Sequence, residues 1–197
     1  MNLAIKTMST NTFLVWISII LIILALFQKN SNFLDVRSVF TAHFKVFIGS
    51  PLQCIVIFGV PVLLTIVAVD KQNLNKEIVD TLNIVLSILV SMFFAMLSIL
   101  SALPQKSIGE DQKKSVVEQN RIKEYNLLLI ETFNSVMFEC ILCILVLATS
   151  VILLFINDFS ASWQLAAISG VVYYLSLIIV LNIFVIIKRI KVLFDNR

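Results

Sequence analysis

Apolar residues fill this chain in long unbroken runs, and short polar stretches separate them. Runs of that length predict helices across a bilayer, because a helix is the open structure that satisfies its own backbone polar groups in hydrocarbon. Five stretches qualify, near residues 13–27, 52–69, 78–103, 127–156 and 163–187, and they predict one domain over 1–197. The fold class is all-α: a multi-pass transmembrane helical bundle of four to five spans.

The organising stretch runs from Ser115 to Ile156, with no Pro or Gly anywhere between Gly109 and Gly170. It starts charged (Glu118, Arg121, Lys123, Glu124) and ends apolar (Ile141–Ile156). Read as one helix of about 42 residues it is about 63 Å long. That is twice the hydrocarbon thickness, so half of it projects into the cytoplasm, with 104–126 as the cytoplasmic segment.

The other runs carry their own punctuation. Phe13–Phe27 is short, follows Lys6 and precedes Gln28-Lys29-Asn30 without a small-residue cleavage pattern, so it reads as an uncleaved, nearly upright signal anchor. Between Asn30 and Gly49, Phe33, Leu34, Val36, Phe40, Phe44, Phe47 and Ile48 recur at roughly helical spacing, which predicts an amphipathic helix at the membrane interface. Gly59 and Pro61 fall inside the second span, and Pro61 predicts a kink there, either a hinge or static packing. The third span, Ile78–Leu103, starts with Asp80 and Asn83 and is closed by Pro104. Within it Ser87, Ser91, Ala95, Ser98 and Ala102 form one small-residue face, suited to close helix packing inside the subunit or between copies. Trp163 and Lys188-Arg189 bracket the fifth span as interfacial anchors, and a basic tail, Lys188–Arg197, follows.

Composition removes the water-soluble alternative. Mean hydropathy is +1.01, 59% of residues are hydrophobic and 14% are charged; a soluble domain carries about 25% charged residues to cover its surface. The net charge of +3 is small, but its placement is lopsided. With five spans, the side holding 28–50, 104–125 and the C-terminus carries twelve Lys and Arg, against three (Lys6, Lys71, Lys76) on the other. That sorting predicts a cytoplasmic C-terminus and an N-terminus on the opposite side. A four-span arrangement needs either Leu52–Val69 or the first stretch to be interfacial or re-entrant.

Polar residues inside the spans are the candidate chemistry. Arg121, Glu124, Glu131, Ser135 and Glu139 follow one another along one face of the long helix, with Asn134 beside them. Glu131 falls near the headgroups and Glu139 inside the membrane boundary. A carboxylate in hydrocarbon costs on the order of 3 kcal/mol unless a cavity, a partner helix or a cation relieves it. The stripe therefore lines a cation path or responds to proton-motive force, docks a partner, or packs against the cytoplasmic loops of its own subunit. His43, the single histidine, reads as a solvated interfacial side chain. Cys54, Cys140 and Cys143 lie in apolar runs; Cys140-x-x-Cys143 has redox spacing without a redox fold around it, so both read as packing residues. No nucleophile–base set, phosphate loop or metal cluster stands out, which predicts no catalysis, no cofactor and no bound metal. Direct nucleic-acid binding is not expected either, since the large loop's basic residues are offset by Glu110, Asp111, Glu118 and Glu124.

In size, multi-pass pattern, and the charged segment Gln105–Tyr125 running through Asn126–Glu139 into the fourth span, the chain resembles the membrane subunit of the Kiwa anti-phage defence system of bacteria. The resemblance implies an inner-membrane homo-oligomer, a tetramer, that has no catalysis of its own, senses infection and works with a cytoplasmic DNA-binding subunit. Two functions follow as expectations: a non-enzymatic sensor or scaffold that recruits a cytoplasmic protein, or a channel, holin or depolarising effector.

Overall fold

The computed structural model describes residues 17, 36–47, 51–71, 74–104, 116–155 and 162–195. They are helical throughout apart from short connections, with no strand among the described residues. The helices are α1 (Val36–Phe47), α2 (Pro51–Cys54), α3 (Val60–Lys71), α4 (Lys76–Ala102), α5 (Val116–Phe155) and α6 (Ser162–Asp195). A π-helical turn, Ile55–Gly59, joins α2 to α3 without a break. Four segments are long and apolar enough to cross a membrane: Leu52–Lys71, Lys76–Ala102, Val117–Ser150 and Leu165–Asp195. The all-α multi-pass architecture is thus as the sequence predicts. The first predicted span, 13–27, lies outside the described residues apart from Ile17, which is helical.

α5 matches the predicted long helix to within one residue at each end. It is also the buried centre: 56% of its apolar window is buried, against 17% for each of the second and third spans and 28% for the last. α1, α4 and α6 pack on α5, and α3 packs on the far side of α6. Just before α4, the Leu74 N–H donates to Ser169 Oγ in the first turns of α6 at 3.1 Å.

The packing has a seven-residue period. α4 buries Val79, Leu86, Phe93 and Leu100, and α6 buries Val172, Ile179, Ile186 and Leu193. α5 buries Ile122, Tyr125, Leu129, Thr132, Val136, Glu139, Cys143, Val146 and Ser150, alternating steps of three and four. This is the seam of helices packed side by side in coiled-coil fashion. Three polar residues, Thr132, Glu139 and Ser150, stand in that seam.

Local signals explain the ends. Asn75 caps α4, its Oδ1 accepting from Ile78 N–H at 2.8 Å. The helix starts there, ahead of the predicted Ile78, and places Glu77 in the first turn. It closes with Leu103 N–H donating to Leu100 O before Pro104. Where Pro61 predicted a kink, the chain makes the π-helical turn just upstream, a usual way to absorb a missing i→i−4 bond.

Two expectations are corrected here. The basic stretch after Ile187 is not a tail: α6 continues to Asp195, because Ile186, Ile190 and Leu193 carry the apolar seam onward and Leu193 is fully buried. The amphipathic α1 does form, but it docks on protein. Phe40 meets Phe138 of α5 edge-on at 4.8 Å, and Phe44 stacks near Phe58 at 5.4 Å.

Candidate functional site

Two polar contacts tie α5 to α6. The Asn182 carboxamide donates from Nδ2 to Glu139 Oε1 at 2.6 Å. Further along, Arg189 Nη1 lies 3.4 Å from Glu131 Oε2. Residue 139 opposite 182 and residue 131 opposite 189 define one antiparallel register. Along α5 the two contacts are eight residues apart, about 12 Å.

They differ in surroundings. Glu139 and Asn182 are sealed, at 0% and 1% exposure. Glu131 and Arg189 keep 35% and 16% of their side chains exposed. The inner pair is also incompletely satisfied: Glu139 Oε2 and Asn182 Oδ1 are both buried without a hydrogen-bond partner. Both leftover atoms are acceptors when the carboxyl is ionised, and one proton on Oε2 would supply the donor the pair lacks. A polar pair in a largely apolar seam costs stability and fixes which layers face each other, since any slip strands both groups.

The predicted stripe is therefore split. Ser135 and Glu139 face inward, and the Ser135 hydroxyl donates back to Glu131 O at 2.9 Å. Glu131 pairs across to α6. Arg121 and Glu124 are exposed near the start of α5. Of the three alternatives the stripe left open, packing inside the subunit describes Glu131, Ser135 and Glu139. The partner for two of them is α6 rather than a loop. Arg121 and Glu124 keep the docking alternative.

The reading of His43 as solvated is overturned. His43 is 1% exposed, and its ring stacks on Phe138 at 3.9 Å with the planes 10° apart. Burial pushes its pKa down to about 4, and the nearby Arg189 guanidinium pushes the same way. Sequence reasoning missed this position because Phe138 is distant in sequence; the signal available was His43 lying on the same face as Val39 and Phe40.

The small-residue face of α4 is not used inside the subunit. Ser87, Ser91, Ala95 and Ser98 are all exposed, because α4 turns the Val79–Leu100 stripe to α5 instead. The hydroxyls of Ser87 and Ser91 donate to Asn83 O (2.7 Å) and Ser87 O (3.0 Å) of their own helix. Cys54, Cys140 and Cys143 are free thiols, the latter two buried in α5 as packing residues. Among the described residues no group of His, Cys, Asp and Glu could hold a metal ion.

No family model, curated protein or solved structure matches this chain.

Proposed function

We propose that this membrane protein is a non-enzymatic scaffold of a bacterial inner membrane, whose projecting helix end presents a docking surface to a cytoplasmic protein. The observation that carries this reading is the length of α5 relative to its neighbours. Continuing the register of Glu139–Asn182 and Glu131–Arg189 puts Asp195, the end of α6, opposite Tyr125–Asn126. The turns from Val116 to Glu124 reach past it by about 13 Å. They carry exposed charges of both signs, Arg121, Lys123 and Glu124. Such a surface sets the orientation and on-rate of a protein partner more than its raw affinity. A buried polar layer at Glu139–Asn182 holds this projection in fixed register with the spans. Of the three features behind the channel alternative, Glu139 is engaged by Asn182 inside the subunit, while the Pro61 region and the exposed serine face of α4 stay available to it.

The resemblance to the Kiwa membrane subunit gives this scaffold a setting in anti-phage defence, a sensing role and a homo-oligomeric state. The test is affinity capture of the tagged full chain in mild detergent, with and without phage infection, beside the charge-reversed variant Arg121→Glu/Glu124→Lys. A stoichiometric soluble partner held by the wild type and lost by the variant is the expected result. Absence of any such partner under both conditions overturns the proposal.

A further inference from the structure

Between α2, the π-helical turn and α6 lies a cavity of about 660 Å³, closed on one side by Leu128 of α5. Its volume falls in the range of small-molecule sites, about 300–1,000 Å³. Its wall is apolar, with Leu52, Val56, Leu181, Phe184 and Val185. Its rim carries two cations, Lys188 and Arg189.

The placement of those cations selects the ligand. Lys188 and Arg189 are the first cations of α6 after the charge-free run that ends at Ile187, the kind of position that meets lipid headgroups. Lys188 is exposed and has no ion-pair partner among the described residues. Arg189 lines the cavity beside it and pairs with Glu131 through its buried Nη1 at 3.4 Å, so Lys188 is the main cation left for an anion. Leu52 and Phe184, both lining the cavity, are 75% and 66% exposed. A soluble anion would use the cations and leave the apolar wall wet. An uncharged lipid would use the wall and leave the cations without an anion. A ligand with a phosphate at one end and a hydrocarbon chain at the other satisfies both.

We propose that this cavity binds an anionic phospholipid, its phosphate on Lys188 beside Arg189 and an acyl chain along Leu181, Phe184 and Val185. The proposal rests on the membrane-spanning fold and is independent of the scaffold reading. Basic pockets between spans at the inner face are suited to such headgroups, and each basic side chain near the surface strengthens binding about five-fold.

The test is native mass spectrometry of the full chain, delipidated in detergent and titrated with dioleoyl phosphatidylglycerol, dioleoyl phosphatidylcholine or inorganic phosphate. One phosphatidylglycerol retained per chain is expected, with phosphatidylcholine and phosphate not retained. Lys188→Ala should weaken retention about five-fold, and Lys191→Ala, an exposed basic neighbour outside the cavity, should not. Leu181→Trp should fill the wall and abolish retention; should that variant fail to fold, Lys188→Ala alone decides. Equal retention of phosphatidylcholine, displacement by inorganic phosphate, indifference to Lys188→Ala, or a second copy of the chain in place of lipid would each overturn the proposal.

Discussion

Asn182 of α6 reaches Glu139 of α5 across the interface of the two helices, with its carboxamide nitrogen 2.6 Å from the carboxyl oxygen. Both residues are buried where their helices pack, and each gives the other a polar contact there. Asn182→Leu should cost about 2 kcal/mol, because it strands a buried carboxyl. Glu139→Gln should be nearly neutral: it keeps the acceptor for Asn182 Nδ2 and adds an N–H that can serve Asn182 Oδ1. Thermal unfolding of the detergent-solubilised variants measures both. Equal losses for the two substitutions would show that charge, not hydrogen-bond pairing, holds the layer.

The outer pair should behave differently. Glu131 and Arg189 are 3.4 Å apart and partly solvated, and exposed ion pairs contribute about 0–1 kcal/mol. Glu131→Gln should therefore lower stability by less than about 1 kcal/mol, and the loss should shrink further in high salt. The same unfolding assay at two ionic strengths checks it. A salt-independent loss as large as that of Asn182→Leu would contradict the distinction drawn between the layers.

What was legible in the sequence was whatever a single helix carries within itself. The bounds of α5 follow from the lack of any Gly or Pro and from the charged-to-apolar gradient, and they hold to one residue. The Pro104 stop is equally local; the Asn75 cap is local too, but the start was placed at Ile78. Contacts between helices were not legible. Glu139 and Asn182 are 43 residues apart, and pairing them needs a register that only packing supplies. The three-four alternation from Ile122 to Ser150 was present and places Thr132 and Glu139 in a seam; read as a polar face with Arg121 and Glu124, it points the wrong way. Extending the step from Ile186 to Ile190 and Leu193 would likewise have carried α6 through its basic end, where Lys188, Arg189 and Lys191 suggested a tail.

The docking of α1 should depend on pH through His43. Its pKa is about 4 when docked against the ordinary 6.5. Between those values the released helix binds a proton that the docked helix does not, so docking weakens as pH falls from 6.5 toward 4 and is flat above 6.5. The full shift corresponds to about 3 kcal/mol. Hydrogen exchange of the Val36–Phe47 amides, corrected for intrinsic rates, should show loss of protection near about pH 5 relative to about pH 7.5. His43→Phe preserves a ring on Phe138 and cannot titrate, so its protection should not change with pH. A pH-dependent loss that survives in His43→Phe would assign the effect to another group.

The face of α4 that carries Ser87, Ser91, Ala95 and Ser98 bears on whether copies of the chain assemble. Because α4 turns Val79, Leu86, Phe93 and Leu100 inward, this small-residue face is left outside, and substitutions there leave the subunit core untouched. In lipid, apolar surface alone gives no drive to associate; helices associate where small residues let their backbones approach. Ser87 and Ser91 already bond within their own helix, so close packing rather than interhelical hydrogen bonding must provide the contact. If copies of the chain meet on this face, Ser91→Leu/Ala95→Leu should hold them apart while leaving the thermal midpoint of the subunit unchanged. Native mass spectrometry and cross-linking in membranes should then find an oligomer for the wild type, a tetramer on the resemblance to the Kiwa subunit, and smaller species for the double variant. A monomeric wild type, or a bulky variant with the same oligomer, would show that this face meets lipid alone.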